Sequence, residues 1–354
     1  MAIVLSHDAV ASLLPLSTAL ECTERALVAV SRESVFMPLR WGAVLPLAGK
    51  EGVHVLGHMP SYLPAKGGAG AGEWWHPATA KEGKKGEGGF MATKVVSVFP
   101  SNSGTAFSSH QGVVLLFDAT NGSLLCIADA HTVTAVRTAA ASGVATRLLA
   151  REDCSVLAII GSGEQARKHL QAMRAVRPTI TEVRVWSRTA EHAAAFAAEF
   201  AAEEGLSVAA VATAEAAVRG ADIICTCTSS SMPLVEGAWI KEGAHLNLIG
   251  SCFPTQREAD TATIVKSKLY VDTRAACLLE PGDLVTPLKE KAIEESHIIA
   301  EVGAVLDGAD GAVGRENERE ITCFKSVGNA AEDLCASVAI YEAAKASDQT
   351  FGTM

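Results

Sequence analysis

Ser155-Val-Leu-Ala-Ile-Ile-Gly-Ser-Gly-Glu-Gln-Ala166 is the stretch whose reading decides the fold. An apolar run stops at Gly161-x-Gly163-x-x-Ala166, and Ala166, Leu170 and Met173 then recur at helical spacing through residue 176. The spacing predicts a strand, a tight glycine turn and a helix. In such a unit Gly161 permits the turn, Gly163 lets the backbone approach a pyrophosphate, and the small Ala166 lets helix and strand pack closely. The helix N-terminus would then face bound phosphate. A GxGxxA alone is a weak signal; the strand before it and the helix after it give it weight.

Downstream the pattern continues as a doubly wound sheet. Residues 182–187 read as a strand, 190–204 as a helix packed through Phe196 and Phe200, and 221–226, 245–249 and 268–271 as further strands. Alternating elements of this length imply parallel pairing. In this fold the end of the second strand selects the cofactor, an acid holding a ribose 2′-OH and a cation accepting a 2′-phosphate. Here the strand ends Trp186-Ser187-Arg188-Thr189, with a guanidinium and two hydroxyls and no carboxylate. NADPH is the expected cofactor.

Upstream the chain reads as α+β. Residues 17–31 form an amphipathic helix with Leu20, Leu27 and Val30 inward. Short β patterns follow at 44–47 and 53–59. Residues 66–89 are rich in Gly and Lys, carry Trp74 and Trp75 and lack either period; they are either a tolerated surface insertion or a lid. The alternation over 92–99 puts Lys94 on an apolar strand face, so it is paired, binds an anion or sits near an exposed edge. Residues 113–118 and 124–128, joined at Asn121-Gly122, form a hairpin. The helix at 132–149 is small-sided almost all round, and its Arg137 either snorkels outward or aims at an anion. The last stretch, Ile321 to Gly328, leads into a helix from about Asn329 with Leu334, Val338 and Tyr341 on one side, returning to the N-terminal domain.

Composition sets the outer limits. A chain of 354 residues, 49% hydrophobic and 20% charged, holds two globular domains, and a net charge of −10 argues against a nucleic-acid or anionic-membrane partner. No apolar run reaches a membrane span of ~18 residues. Residues 1–10 show no basic or Arg/Ser-biased leader, so a cytoplasmic location is expected. Nine cysteines without CxxC or zinc-ligand spacing fit reduced core thiols and no metal. Cys225 and Cys227, on one strand face, are expected to be buried rather than redox-active.

The words Met59-Pro-Ser-Tyr62, Ala92-Thr-Lys-Val95, Ser109-His-Gln111, Val114-Leu-Leu-Phe117, Thr134-Ala-Val-Arg-Thr-Ala-Ala140, Gly161-Ser-Gly163, Trp186-Ser-Arg-Thr189, Gly243-Ala-His245 and Phe324-Lys-Ser-Val-Gly328 carry a further message. Through them the chain resembles the ornithine cyclodeaminase and mu-crystallin family over nearly its whole length apart from 66–89. The resemblance implies a homodimer with a Rossmann NADP-binding domain at 131–320. That domain is inserted between the two parts, 1–130 and 321–354, of an α+β domain for substrate binding and dimerisation.

By the same resemblance, Arg40, Lys94 and Arg137 are the catalytic cations around the substrate carboxylate and nicotinamide. Met59, Ser251, Cys252 and Val327 join Arg40 and Lys94 in contacting substrate. Ser109, His110, Arg137, Gly161, Gly163, Glu164, Gln165, Ser187, Arg188, Thr189, Thr226, Cys227, Thr228, Ile249, Lys325 and Ser326 contact the cofactor. Cys252 stands where cyclodeaminases carry a catalytic Asp, and a neutral thiol is a poor acid and base for ammonia loss. The members lacking that acid are NADPH-dependent ketimine reductases, so the expected substrate is a small cyclic imino acid. The alternatives are a cyclodeaminase, an amino-acid dehydrogenase of the alanine dehydrogenase kind, or a non-catalytic NADPH-dependent ligand binder.

Overall fold

A computed structural model describes residues 1–45, 54–64, 89–102 and 105–354. The Gly/Lys-rich stretch expected at 66–89, with both tryptophans, lies outside the described residues except at its last position, as do parts of the two short β patterns before it. The protein is α/β. It divides into two units, Met1–Arg137 with Asn329–Met354, and Thr138–Gly328.

The first unit contains β1 (Ile3–Leu5), α1 (His7–Leu13), α2 (Leu16–Ser31), β2 (Trp41–Leu45), β3 (His54–Leu63), β4 (Phe90–Val98), β5 (His110–Asp118), β6 (Leu124–Asp129) and the start of α3 (Ala130–Leu149). The described strands run in the order β15-β1-β6-β5-β4-β3-β2, with β15 (Gly352–Thr353) supplied by the C-terminus. From β2 to β6 the pairing is antiparallel. The β5–β6 turn uses Gly122 at φ 75°, where a side chain would be strained. Helix α11 (Ala330–Ala346) packs on α2 and on β3, β4 and β5. Contact on both sides buries it nearly all round from Ala330 to Val338, and Tyr341 is only half-buried, so the one-sided stripe expected for this helix is wrong. The inward face of α2 is likewise built on Ala19, Cys22, Ala26 and Leu27, while Leu20 and Val30 are only half-buried.

The second unit is a parallel sheet in the order β13-β12-β14-β11-β10-β7-β8-β9. Its elements are β7 (Val156–Ile160), α4 (Glu164–Val176), β8 (Glu182–Trp186), α5 (Ala190–Phe200), β9 (Ser207–Ala210), α6 (Ala214–Val218), β10 (Ile223–Thr226), β11 (His245–Leu248), α7 (Thr261–Val265), β12 (Lys268–Val271), α8 (Arg274–Cys277), α9 (Gly282–Lys289), β13 (Ile298–Glu301), α10 (Val302–Asp307) and β14 (Thr322–Lys325). The central strands β10 and β11 are fully buried, as strands covered on both faces must be. Chain order reverses at β7, flanked by β8 and β10, the switch point where such sheets bind ligands.

Two expected boundaries move. Strand β14 slots between β11 and β12 and completes the parallel sheet, so the second unit runs to Gly328 rather than 320. The first unit likewise continues to Arg137, seven residues into α3 beyond the expected 130. Among the described residues no helix is long and apolar enough to cross a membrane.

Candidate active site

In the first unit, strand alternation turns Lys94 onto the buried face of β4, between Met59 of β3 and Val114 of β5 in register. The open alternatives for Lys94 and Arg137 resolve the same way: both are buried and ion-paired. Lys94 Nζ lies 2.7 Å from Asp333 Oδ2 and donates to Thr134 Oγ1 at 3.3 Å. Arg137 Nε donates to Asp333 Oδ1 at 3.1 Å and its Nη1 to Glu332 Oε2 at 2.9 Å.

The two acids sit in the first turn of α11. Asn329 caps that helix by accepting from the Glu332 N–H, and donates from Nδ2 to Glu332 Oε1 at 2.9 Å. Asn329-Ala-Ala-Glu332 carries the capping-box signature, with the return bond made by the Asn329 side-chain amide; it holds the Glu332 carboxylate, and Asp333 follows in the same turn. Glu332 and Asp333 were absent from the expected site. Their signal was the capping box followed by a second acid at the head of an apolar helix.

Charge in this cluster is balanced, two cations against two carboxylates. Burial outweighs the attraction of Asp333 and brings Lys94 down to about 8, with Arg137 and Arg40 adding to the lowering. Burial would raise Asp333, but Lys94 and Arg137 overcome it and hold the carboxyl below its ordinary value. Arg137 is raised despite burial by Asp333 and Glu332. Ser109 and His110 lie at the start of β5, with Ser109 Oγ 3.1 Å from His110 Nδ1. Desolvation, then Lys94, His131 and Arg137, push the His110 imidazole down to about 4 even though part of the residue is exposed, so it is neutral at pH 7. Arg40 precedes β2 and is half-buried.

In the second unit the glycine turn has the expected form. Gly161 takes φ 115°, and a Cβ there would come within 2.6 Å of the Cys227 carbonyl oxygen. Gly163 caps α4 with no side chain on its N–H groups, and a Cβ at Gly163 would meet nothing within 4 Å. That open, uncapped helix N-terminus fits a pyrophosphate. Glu164 is exposed beside it and Gln165 half-buried. Arg188 is exposed with no ion-pair partner among the described residues, and the Thr189 hydroxyl, at the head of α5, caps nothing. Ser187 receives a hydrogen bond from Ser162 Oγ at 2.9 Å.

Several expected contacts have side chains committed inside the protein. Thr226 Oγ1, Thr228 N, Thr228 Oγ1 and Gly250 N all donate to the buried Glu258 carboxylate, at 2.6–2.7 Å. Ser251 Oγ donates to Gln256 O at 2.6 Å. Lys325 pairs with Asp283 at 3.2 Å, and Ser326 Oγ, Val327 N and Gly328 N donate to Asp272 Oδ2. The hydroxyls of Thr226, Thr228, Ser251 and Ser326 are thus spent inside the protein, whereas the Lys325 ammonium is ion-paired to Asp283 without a hydrogen bond among the described residues. Ile249 is buried, Cys252 half-buried with its N–H on Gln256 Oε1, and Cys227 half-buried just past the end of β10 rather than within it. The nine thiols are free.

Glu258, Asp272 and Asp283 form the second missed group. Glu258 ties together the loops after β10 and β11, which press so closely that a Cβ at Gly250 would lie 1.8 Å from the Thr228 carbonyl oxygen. Burial, then Asp283, raise the affinity of Glu258 for a proton, and Lys325 with the Thr226 and Thr228 hydroxyls opposes them. Nothing in the local sequence separates these acids from surface acids.

Residues 77–348 match the model of the ornithine cyclodeaminase/mu-crystallin family. The chain belongs to that family. It is 37% identical to ketimine reductase mu-crystallin of Mus musculus, over 87% of this chain and 85% of the relative. It is also similar to the structure of Thermococcus litoralis Δ1-pyrroline-2-carboxylate reductase in complex with NADH and L-proline. There the identity is 35% and the TM-score 0.86, covering 97% of this chain and 98% of that one. An archaeal alanine dehydrogenase dimer with bound NAD matches at 28% identity and TM-score 0.84, over 98% and 96%.

Proposed function

We propose that the protein is an NADPH-dependent ketimine reductase. It reduces the C=N bond of small cyclic ketimine carboxylates of the 1-piperideine-2-carboxylate and 1-pyrroline-2-carboxylate type, yielding pipecolate or proline. The observation that carries the reading is Lys94, a buried ammonium that titrates close to neutrality. It stands in a chain similar end to end to a reductase that holds NADH together with L-proline, the saturated form of a pyrroline carboxylate.

Reduced nicotinamide supplies the hydride. The chain's own residues bind, orient and protonate. Arg40 meets the substrate carboxylate, and Met59, in register with Lys94, gives the ring an apolar wall. Because Lys94 is already bonded to Asp333, its part is less to clamp the carboxylate than to deliver a proton. An Nζ–H bond breaks as the ring N–H forms, and the imine carbon becomes an electrophilic iminium carbon. Lys94, left neutral beside the Asp333 carboxylate, takes a proton back from water. The donor is competent only as the ammonium, so kcat/KM is expected to fall as pH rises through about 8.

The choice of NADPH over NADH rests on Arg188 and Thr189, since the two solved relatives are described with NADH and NAD. The thiol at Cys252 argues against ornithine cyclisation. Similarity to the alanine dehydrogenase favours reductive amination of a 2-oxo acid as the second reading. A homodimer is supported by that relative and by the exposed apolar side chains Phe36, Trp41 and Val44 on and beside β2. Nine free thiols fit a cytoplasmic setting.

Oxidation of NADPH with five- and six-membered cyclic imines, beside ammonia-dependent pyruvate reduction and ammonia release from ornithine, tests the assignment. Imine reduction is expected to dominate. Dominant pyruvate reduction or ornithine deamination would replace it, and tight NADPH binding with no turnover on any of these would make the protein a binder. Light scattering is expected to give twice the chain mass.

A further inference from the structure

We propose that Asp333 is a positioning residue that fixes the Lys94 ammonium in place and sets how firmly it holds the proton it gives to the ring nitrogen. The inference rests on the reductase reading above and deepens it.

The charged or titratable groups that act on Lys94 within the first unit are Asp333 from the head of α11, Arg137 from α3, Arg40 from the segment before β2 and His110 from β5; His131 acts on His110, and Glu332 pairs with Arg137. The neighbours in register on β3 and β5, Met59 and Val114, are apolar. Among the described residues, Asp333 is the one carboxylate in ion-pair contact with Lys94, while Glu332 is spent on Arg137 and Asn329. Asp333 divides its two oxygens, Oδ2 to Lys94 and Oδ1 to Arg137.

The carboxylate has little freedom to follow a departing proton. It belongs to the first turn of a capped helix, and the residue is 1% exposed. Proton transfer therefore leaves a neutral amine beside an immobile negative charge, a state that favours prompt reprotonation. Asp333 strengthens the hold of Lys94 on its proton, and Arg137 and Arg40 weaken it. Burial is the largest influence and loosens the proton; Asp333, held 2.7 Å away, is the opposing charge that limits how far it is loosened.

The test is the pH dependence of kcat/KM for imine reduction in the wild type and three variants. An opposite charge in direct contact shifts a titration by roughly 1–3 pH units. Asp333→Asn is therefore expected to move the descending limb to lower pH by about that much. Arg137→Gln removes a cation that competes for Asp333 and is expected to move the limb upward. Glu332→Gln, equally buried and on the same helix turn but bonded to Arg137 and not to Lys94, is expected to move it clearly less than Asp333→Asn.

Unmoved limbs in both Asp333→Asn and Arg137→Gln overturn the proposal, and so does a shift in Glu332→Gln as large as in Asp333→Asn. Should Asp333→Asn fail to fold by circular dichroism, the direction of the Arg137→Gln shift decides alone. A wild type that reduces no cyclic imine refutes the proposed function instead. A wild type that reduces them while the variants keep its profile leaves that function standing and removes only the role of Asp333.

Discussion

The two units treat buried charge in opposite ways. Around Lys94, cations and carboxylates meet side chain to side chain in equal number, and the charge remains available for chemistry. In the second unit the buried Lys325 answers Asp283 and, more distantly, Glu258, and most hydrogen bonds to Glu258, Asp272 and Asp283 come from backbone N–H and hydroxyl groups. A carboxylate that accepts from several backbone donors cannot easily give up its place, because each orphaned N–H would cost roughly 1–3 kcal/mol. The first arrangement suits a group that must change its protonation; the second suits loops that must keep their shape against a cofactor.

The largest effect is expected from removing the chemical group itself. Lys94→Ala should lower turnover by roughly 10²–10⁴-fold, the usual contribution of a proton donor, while leaving the dissociation constant for NADPH within a few-fold. Normal imine reduction by that variant breaks the comparison, since it would make Lys94 a structural pair only. Glu258→Gln should do the converse. Its amide must turn one N–H toward a donor from Gly250, Thr228 or Thr226, costing about 1–3 kcal/mol in urea unfolding. It should raise the KM for NADPH several-fold with kcat at saturation little changed. A large drop in kcat with an unchanged KM would show that the loops do more than hold the cofactor.

The smallest effect belongs to the exposed rim. Arg188→Ala should cut the preference for NADPH over NADH by about tenfold, in keeping with one charged hydrogen bond weakened by solvent. Equal efficiencies with both cofactors in the wild type would end the argument for the 2′-phosphate.

Much of this was legible before any coordinates. The glycine turn, the hairpin at Asn121-Gly122 and the small-sided α3 follow from local rules of backbone and periodicity. Lys94 stood out because an ammonium on an apolar strand face demands a partner. That partner was not legible, since Asp333 is 239 residues further along the chain. Strand β14 was missed for a similar reason. Its four residues, Thr322–Lys325, carry no period of their own and become a strand only through pairing with β11 and β12.

By itself the sequence determined what short-range sterics and periodicity can determine: a nucleotide-binding turn at Gly161, a cation at the end of the second strand, and a lysine on an apolar strand face and an arginine on a small-sided helix whose burial stayed open. Tertiary structure alone decided which carboxylates answer them. Ion pairing in a desolvated interior depends on distances across the fold, and neither Asp333 against Lys94 nor Glu258 beneath Thr226 and Gly250 has a signature along the chain.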